Sequence, residues 1–134
     1  MIRTYVDGDF TALVTLINTA AEAYRAVIPP DRWKEPYMPA TELADEIAAG
    51  VRFWVYEEGA APIGAMGLQE VQDVTLIRHA YVDPAAQRRG IGGALLACCR
   101  ALAEQPLLIG TWAAADGAIQ FYKKNGFRIT EPVQ

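Results

Sequence analysis

Apolar residues recur along this chain with two periods, and the places where the period changes divide it into elements. Ile2 to Val6 alternates as an edge strand does. Asp7-Gly8-Asp9 then offers an N-cap to a helix that carries Phe10, Leu13, Val14 and Ile17 on one face and runs to about Tyr24. Between Arg25 and Pro39 the periodicity vanishes, and Pro29, Pro30, Pro36 and Pro39 share the stretch with Trp33 and Tyr37, the chemistry of a loop rich in large rings. Thr41 caps a second expected helix, with Glu42, Asp45 and Glu46 in its first turns and Gly50 at its end. From Val51 the pattern becomes that of strands. Phe53-Trp54-Val55-Tyr56, a turn over Glu57 to Pro62 and Ile63 to Val71 form a hairpin, and Gln72-Asp73 turns into a third strand, Leu76 to Val82.

That strand stops at Asp83-Pro84, where proline removes a ladder donor and biases its predecessor away from helix. Ile91, Leu95, Cys98 and Leu102 then repeat as one face of an amphipathic helix. Past Pro106, Leu107 to Trp112 suits a short buried strand, Ala118 to Lys124 a short helix stopped by Gly126, and Phe127 to Thr130 a last strand. The order is β-α-α-β-β-β-α-β-α-β, without internal repeat or linker. It predicts an α/β (mixed α+β) sheet with helices on both faces.

With 134 residues the chain is expected to be a single domain, 1–134. Its 52% hydrophobic and 21% charged residues are those of a globular protein. A net charge of −4 disfavours nucleic-acid or anionic-membrane partners, since its overall field attracts neither. No apolar run approaches bilayer length and Met1-Ile2-Arg3-Thr4 lacks the apolar core of a secretory signal, so the expected location is cytoplasmic. Cys98 and Cys99 are adjacent on the expected helix, too divergent to staple anything, and are read as reduced core-side residues.

Candidate chemistry begins at Gln87-Arg88-Arg89-Gly90-Ile91-Gly92-Gly93. A helix N-terminus has unpaired N–H groups and partial positive charge, and glycines let a phosphate come close to the backbone. The bland alternative is a glycine-shaped strand-to-helix turn. A dinucleotide-binding fingerprint needs a small residue where Leu95 stands, and the Gly-Lys-Ser/Thr of a P-loop is absent. Strand, Gln-Arg-Arg-Gly-Ile-Gly, helix is similar to the acyl-CoA signature Q/R-x-x-G-x-G/A of the GNAT superfamily of N-acetyltransferases. Ala118 to Phe127, AIQFYKKNGF, resembles the family's second signature, A-I-x-x-Y-x-K-x-G-F.

The resemblance covers nearly the whole chain in order of elements and is specific from Ala80 to Phe127. It implies the GNAT acyl-CoA N-acyltransferase fold with its central sheet splayed between the strands 76–82 and 107–112. Acetyl-CoA (coenzyme A) would be the co-substrate, with no metal. Gln87, Arg88, Arg89, Gly90, Ile91, Gly92 and Gly93 would hold its pyrophosphate, and Ala80, Tyr81 and Val82 its pantetheine arm and carbonyl. Tyr122 would be the general acid. A phenol of pKa ~10 facing a thiol of ~8.5 gives up its proton slightly uphill. The pattern departs at Ala115, where the family often has Asn, and at Gly110, where some members carry Glu. The base is therefore open between Glu70, His79 and a water chain.

Tyr24, Arg25, Trp33 and Tyr37 fall in the segment that covers the acceptor pocket in this family, where aromatic faces attract an ammonium; the alternative is that the rings only anchor the loop. Trp112 is read as a buried sheet residue, the alternative being that it borders that pocket. The acceptor is a small-molecule, peptide or protein amine, with a homodimer left open. A non-catalytic acyl-CoA-binding or regulatory module of the same fold is the competing reading, and a nucleotide-binding protein a third.

Overall fold

The computed structural model describes residues 1–22, 25, 26, 28, 30–109 and 121–127. At its centre is a meander of β2 (Arg52–Glu58), β3 (Ala61–Val71) and β4 (Val74–Val82), each joined to the next by a two-residue loop. Left-handed φ at Gly59, Ala60 and Gln72 gives these loops the hand that suits strand twist. β1 (Ile2–Thr4) adds to the outer edge of β2, and β5 (Leu107–Ile109) pairs with β4 in parallel, for the order β1-β2-β3-β4-β5. A parallel neighbour needs a crossover, and α3 (Ile91–Leu102) supplies it.

Alternation along the strands divides the apolar residues between two cores. Trp54, Met66 and Leu68 pack with Ile91, Leu95 and Leu96 of α3. Phe53, Val55 and Ala65 face the other way, toward Leu13 and Ile17 of α1 (Phe10–Ala21) and Leu43 of α2 (Ala40–Ala48). Gly64 sets how closely α3 lies on the sheet, because a Cβ there would come 2.7 Å from Ile91 Cγ2 and 3.1 Å from Leu95 Cδ1. Among the described residues no helix is long and apolar enough to cross a membrane.

Local expectations are corrected at several places, first at the turn expected over Glu57 to Pro62, which shrinks to Gly59-Ala60 because residues 57, 58, 61 and 62 pair as strand. Asp9 makes no capping bond to α1; its carboxylate turns back to Val6 N–H at 2.9 Å and takes both terminal nitrogens of Arg3 at 2.8 Å. Two bonds to a guanidinium outweigh a single bond to a helix N–H. Thr41 lies inside the first turn of α2, whose N-cap is the extended Pro39. On α3 the buried stripe runs Ile91, Leu95, Cys99, so Cys98 moves to the flank and Leu102 is 51% exposed. The described part of the expected helix 118–124 is helical at 121–124; its start and the strand 128–130 lie outside the described residues.

Candidate active site

β4 pairs unevenly with β3. Gly67 opposes His79 while Leu68 opposes Ile77, so Arg78 is an extra residue, a β-bulge. It exchanges the directions of the backbone groups. Before it, Thr75 N–H donates toward β5, to Pro106 carbonyl at 2.9 Å; after it, Asp83 N–H donates toward β3, to Ile63 carbonyl at 2.8 Å. Since these groups alternate along a strand, Ala80 and Val82 present theirs away from β3. Among the described residues β4 pairs with β5 over Thr75–Ile77 against Leu107–Ile109, and residues 110–112 lie outside those described.

The chain then tightens into a corner. Asp83 Oδ1 accepts from Ala85 N–H at 2.9 Å and caps the short turn Pro84–Ala86, and Gln87 Nε2 donates to Val82 carbonyl at 3.2 Å. Arg88 and Gly90 both have positive φ, 67° and 78°, and Gly90 is the N-cap of α3, with no side chain to occupy the first N–H groups of the helix. A Cβ at Gly90 or Gly93 would meet nothing within 4 Å, so the space beside this terminus is open. Arg88 makes no ion pair among the described residues, whereas Arg89 reaches back to Glu58 at the end of β2, Nη1 to Oε1 at 3.1 Å with a second contact through Nη2. That pairing holds the Glu58 carboxyl below, and the Arg89 guanidinium above, its ordinary pKa.

Tyr122 is 7% exposed, packed in the core beneath α3 and edge-on to Phe121 and Phe127, at 5.0 and 5.3 Å between centroids. His79 and Tyr81 project to the opposite face. His79 is buried, with Nε2 2.5 Å from Oε1 of Glu46 on α2, and its ring stacks between Phe53 and Tyr81. Glu70, the other base candidate, stands on the half of the hairpin that pairs with β5, taking the Thr75 hydroxyl at 2.9 and 3.0 Å with Arg52 at 3.7 Å. Thus the structure brings His79, Ala80, Tyr81 and Val82 to one end of β4, next to the corner at 83–90, and leaves Glu70 at the other.

Of the expected acceptor residues, Tyr24 lies outside the described residues. The other three touch one another: Arg25 lies over the Trp33 ring at 4.9 Å, Trp33 leans on Tyr37 at 5.6 Å, and Trp33 Nε1 donates to Glu35 at 2.6 Å. Arg25 itself supplies the cation on the Trp33 face. Glu46, the Arg78 bulge and Glu58 have no motif to mark them in sequence, although Gly64 and Gly67 inside a strand pattern are the ordinary sign of a bulge or close approach. No cluster of three or more His, Cys, Asp or Glu among the described residues is placed to hold a metal ion.

Comparison with known proteins places this geometry. Residues 49–129 match the model of a family described as acetyltransferase (GNAT) domain. Over 106 residues, 74% of this chain and 70% of the relative, the sequence is 27% identical to the peptidyl-lysine N-acetyltransferase YiaC of Escherichia coli. Its fold is similar to that of the PaiA N-acetyltransferase of Thermoplasma acidophilum, solved with coenzyme A, at TM-score 0.83 and 18% identity, over 99% of this chain and 92% of that one. The ribosomal-protein-S18-alanine N-acetyltransferase of Escherichia coli superposes at TM-score 0.75 and 22% identity, over 98% and 79%.

Proposed function

Since this chain belongs to the GNAT acetyltransferase family, we propose that it moves an acetyl group from acetyl-CoA to a primary amine by direct attack within a ternary complex. One observation carries the reading: the backbone of Ala80 and Val82 faces away from β3 immediately before a left-handed corner that opens onto the N-terminus of α3. The corner fits a pyrophosphate, because Gly90 and Gly93 leave its space open and Arg88 stands beside it without a carboxylate partner among the described residues. The edge of β4 at Ala80 and Val82, which has no strand partner among the described residues, fits an amide-bearing arm that continues the ladder as an added strand.

Bound there, the coenzyme supplies an activated thioester. The protein contributes position and charge. Val82 and Ala80 N–H groups polarise a carbonyl oxygen aimed at them, worth most where water is excluded. α3 and Arg88 neutralise phosphate charge in a chain whose net charge is negative. Tyr122 protonates the departing sulphur, and His79 or a water takes the proton of the incoming ammonium. Cys99 is no nucleophile here: burial, with a smaller contribution from Cys98, pushes its thiol up to about 12. The curated relative's activity on peptidyl-lysine directs the search for an acceptor first to lysine peptides.

A panel of lysine peptides, free amino acids, polyamines and aminoglycosides assayed for thiol release tests this. Amine-dependent release is expected with at least one class, and coenzyme A at 100 times its dissociation constant should stabilise the fold by about 2.7 kcal/mol. A protein whose melting temperature ignores coenzyme A refutes the site assignment. The packing of Tyr122 among Phe121, Phe127 and the core under α3 favours a second reading, an acyl-CoA-binding module without turnover. Tyr122→Phe separates the two in single turnover: a loss of ~10²- to 10⁴-fold marks a proton donor, and a parental rate leaves Tyr122 a core aromatic.

A further inference from the structure

We propose that His79 and Glu46 form the base of the site, His79 Nδ1 taking the proton of the acceptor ammonium while Glu46 is the positioning residue that holds the ring; this rests on the transferase reading above. A carboxylate only accepts, so the 2.5 Å contact to Glu46 Oε1 puts the hydrogen on Nε2 and, in a neutral ring, leaves Nδ1 bare. Nδ1 is buried and has no hydrogen-bond partner among the described residues, an acceptor left without a donor. An arriving ammonium is such a donor.

The ring's orientation is set from three sides. Phe53 and Tyr81 stack on it at 5.5 and 5.8 Å between centroids, with interplanar angles of 22° and 29°. Phe53 reaches it by lying across Gly67, the residue opposite His79, where any Cβ would come 2.7 Å from the phenyl ring. The Arg78 bulge places the imidazole on the face of α1 and α2, while the neighbouring Ala80 turns its backbone to the groove. Base and oxyanion donor are thus consecutive residues aimed at two sides of one edge. Glu70 is exposed and already holds Thr75.

The protons balance. Nδ1 removes one from the ammonium, freeing the lone pair for the carbonyl carbon. Tyr122 protonates the sulphur as the carbon–sulphur bond breaks, and its oxygen recovers the second nitrogen-borne proton through solvent. The imidazolium, held by the Glu46 carboxylate, releases its Nδ1 proton to water when the amide leaves, so one proton is produced per turnover.

His79 is the single histidine of the chain, so ¹⁵N-histidine labelling yields one pair of ring-nitrogen resonances without assignment. With the ring neutral, Nε2 should read as protonated and Nδ1 as bare. Glu46→Gln, whose amide donates as readily as it accepts, should give a mixture of tautomers. With the best amine of the panel, His79→Asn and Glu46→Gln should lower kcat by ~10²-fold or more at unchanged coenzyme dissociation constant, with Glu46→Asp restoring part of it. A neutral ring protonated on Nδ1 in the parental protein, a measurement that needs no variant to fold, overturns the dyad. So does a folded His79→Asn protein that keeps kcat within about twofold. A parental protein that binds coenzyme A but acetylates no amine overturns the transferase reading first and the dyad with it, whereas transfer that survives His79→Asn removes the dyad alone.

Discussion

A carboxylate beside an arginine titrates unlike one in water, and Asp9 shows the consequence at the scale of one residue. Hydrogen bonds from Arg3, chiefly, and from Val6 N–H hold its pKa below the ordinary value against the opposing effect of burial. A group depressed in this way stabilises the fold fully above its unfolded pKa of ~3.9 and loses that contribution as pH falls through the folded value. Asp9→Asn should therefore lower the urea midpoint at pH 7 by the most, and the gap to the parental protein should close below about pH 4. Cys99 gives the opposite case. With its thiol pushed up to about 12 and no exposed surface, it should resist iodoacetamide at pH 7 while Cys98, on the flank of α3, is labelled; peptide mass mapping reads the difference.

At the scale of elements, the contact of α3 with β3 through Gly64 is the one most exposed to a single change. Gly64→Val puts branched carbon where Ile91 Cγ2 already lies, so a loss of ~1 to 3 kcal/mol is expected, with a weaker coenzyme complex because the N-terminus of α3 is displaced. Denaturant unfolding and titration calorimetry measure the two effects. The order of the described elements was legible in the sequence: the switch of period at Val51, the stop at Asp83-Pro84 and the glycine at the head of α3 all appear as expected. Caps were not, because Asp9 is claimed by Arg3 from another element, and charge pairing between elements leaves no local spacing. Nor was the Arg78 bulge, since the alternation of β4 reads the same with an extra exposed residue; its trace is Gly67 on the partner strand. The same limit hides Glu46, which as one of several acids of α2 looks like a solvated residue until α2 is laid on β4.

For the whole molecule, the sheet has two kinds of edge, and their difference is measurable. The amides of Ala80 and Val82 should exchange with deuterium faster than those of Tyr81 and Asp83, and slow when coenzyme A is added; equal exchange without ligand would mean that the β4 edge is already closed. β2, β3 and β4 are sequence neighbours joined by two-residue loops, whereas β5 meets β4 only after α3 has crossed over the sheet. Contacts close in sequence form before distant ones, which must first overcome the entropy of closing the chain. The proposed coenzyme site thus lies beside a seam between earlier- and later-assembling parts of the sheet. In synthesis the meander can form while residues 91–109 are still being made, so at the proposed site coenzyme binding would become available only once α3 and β5 have docked, and the ligand would report on completed folding as well as taking part in the chemistry.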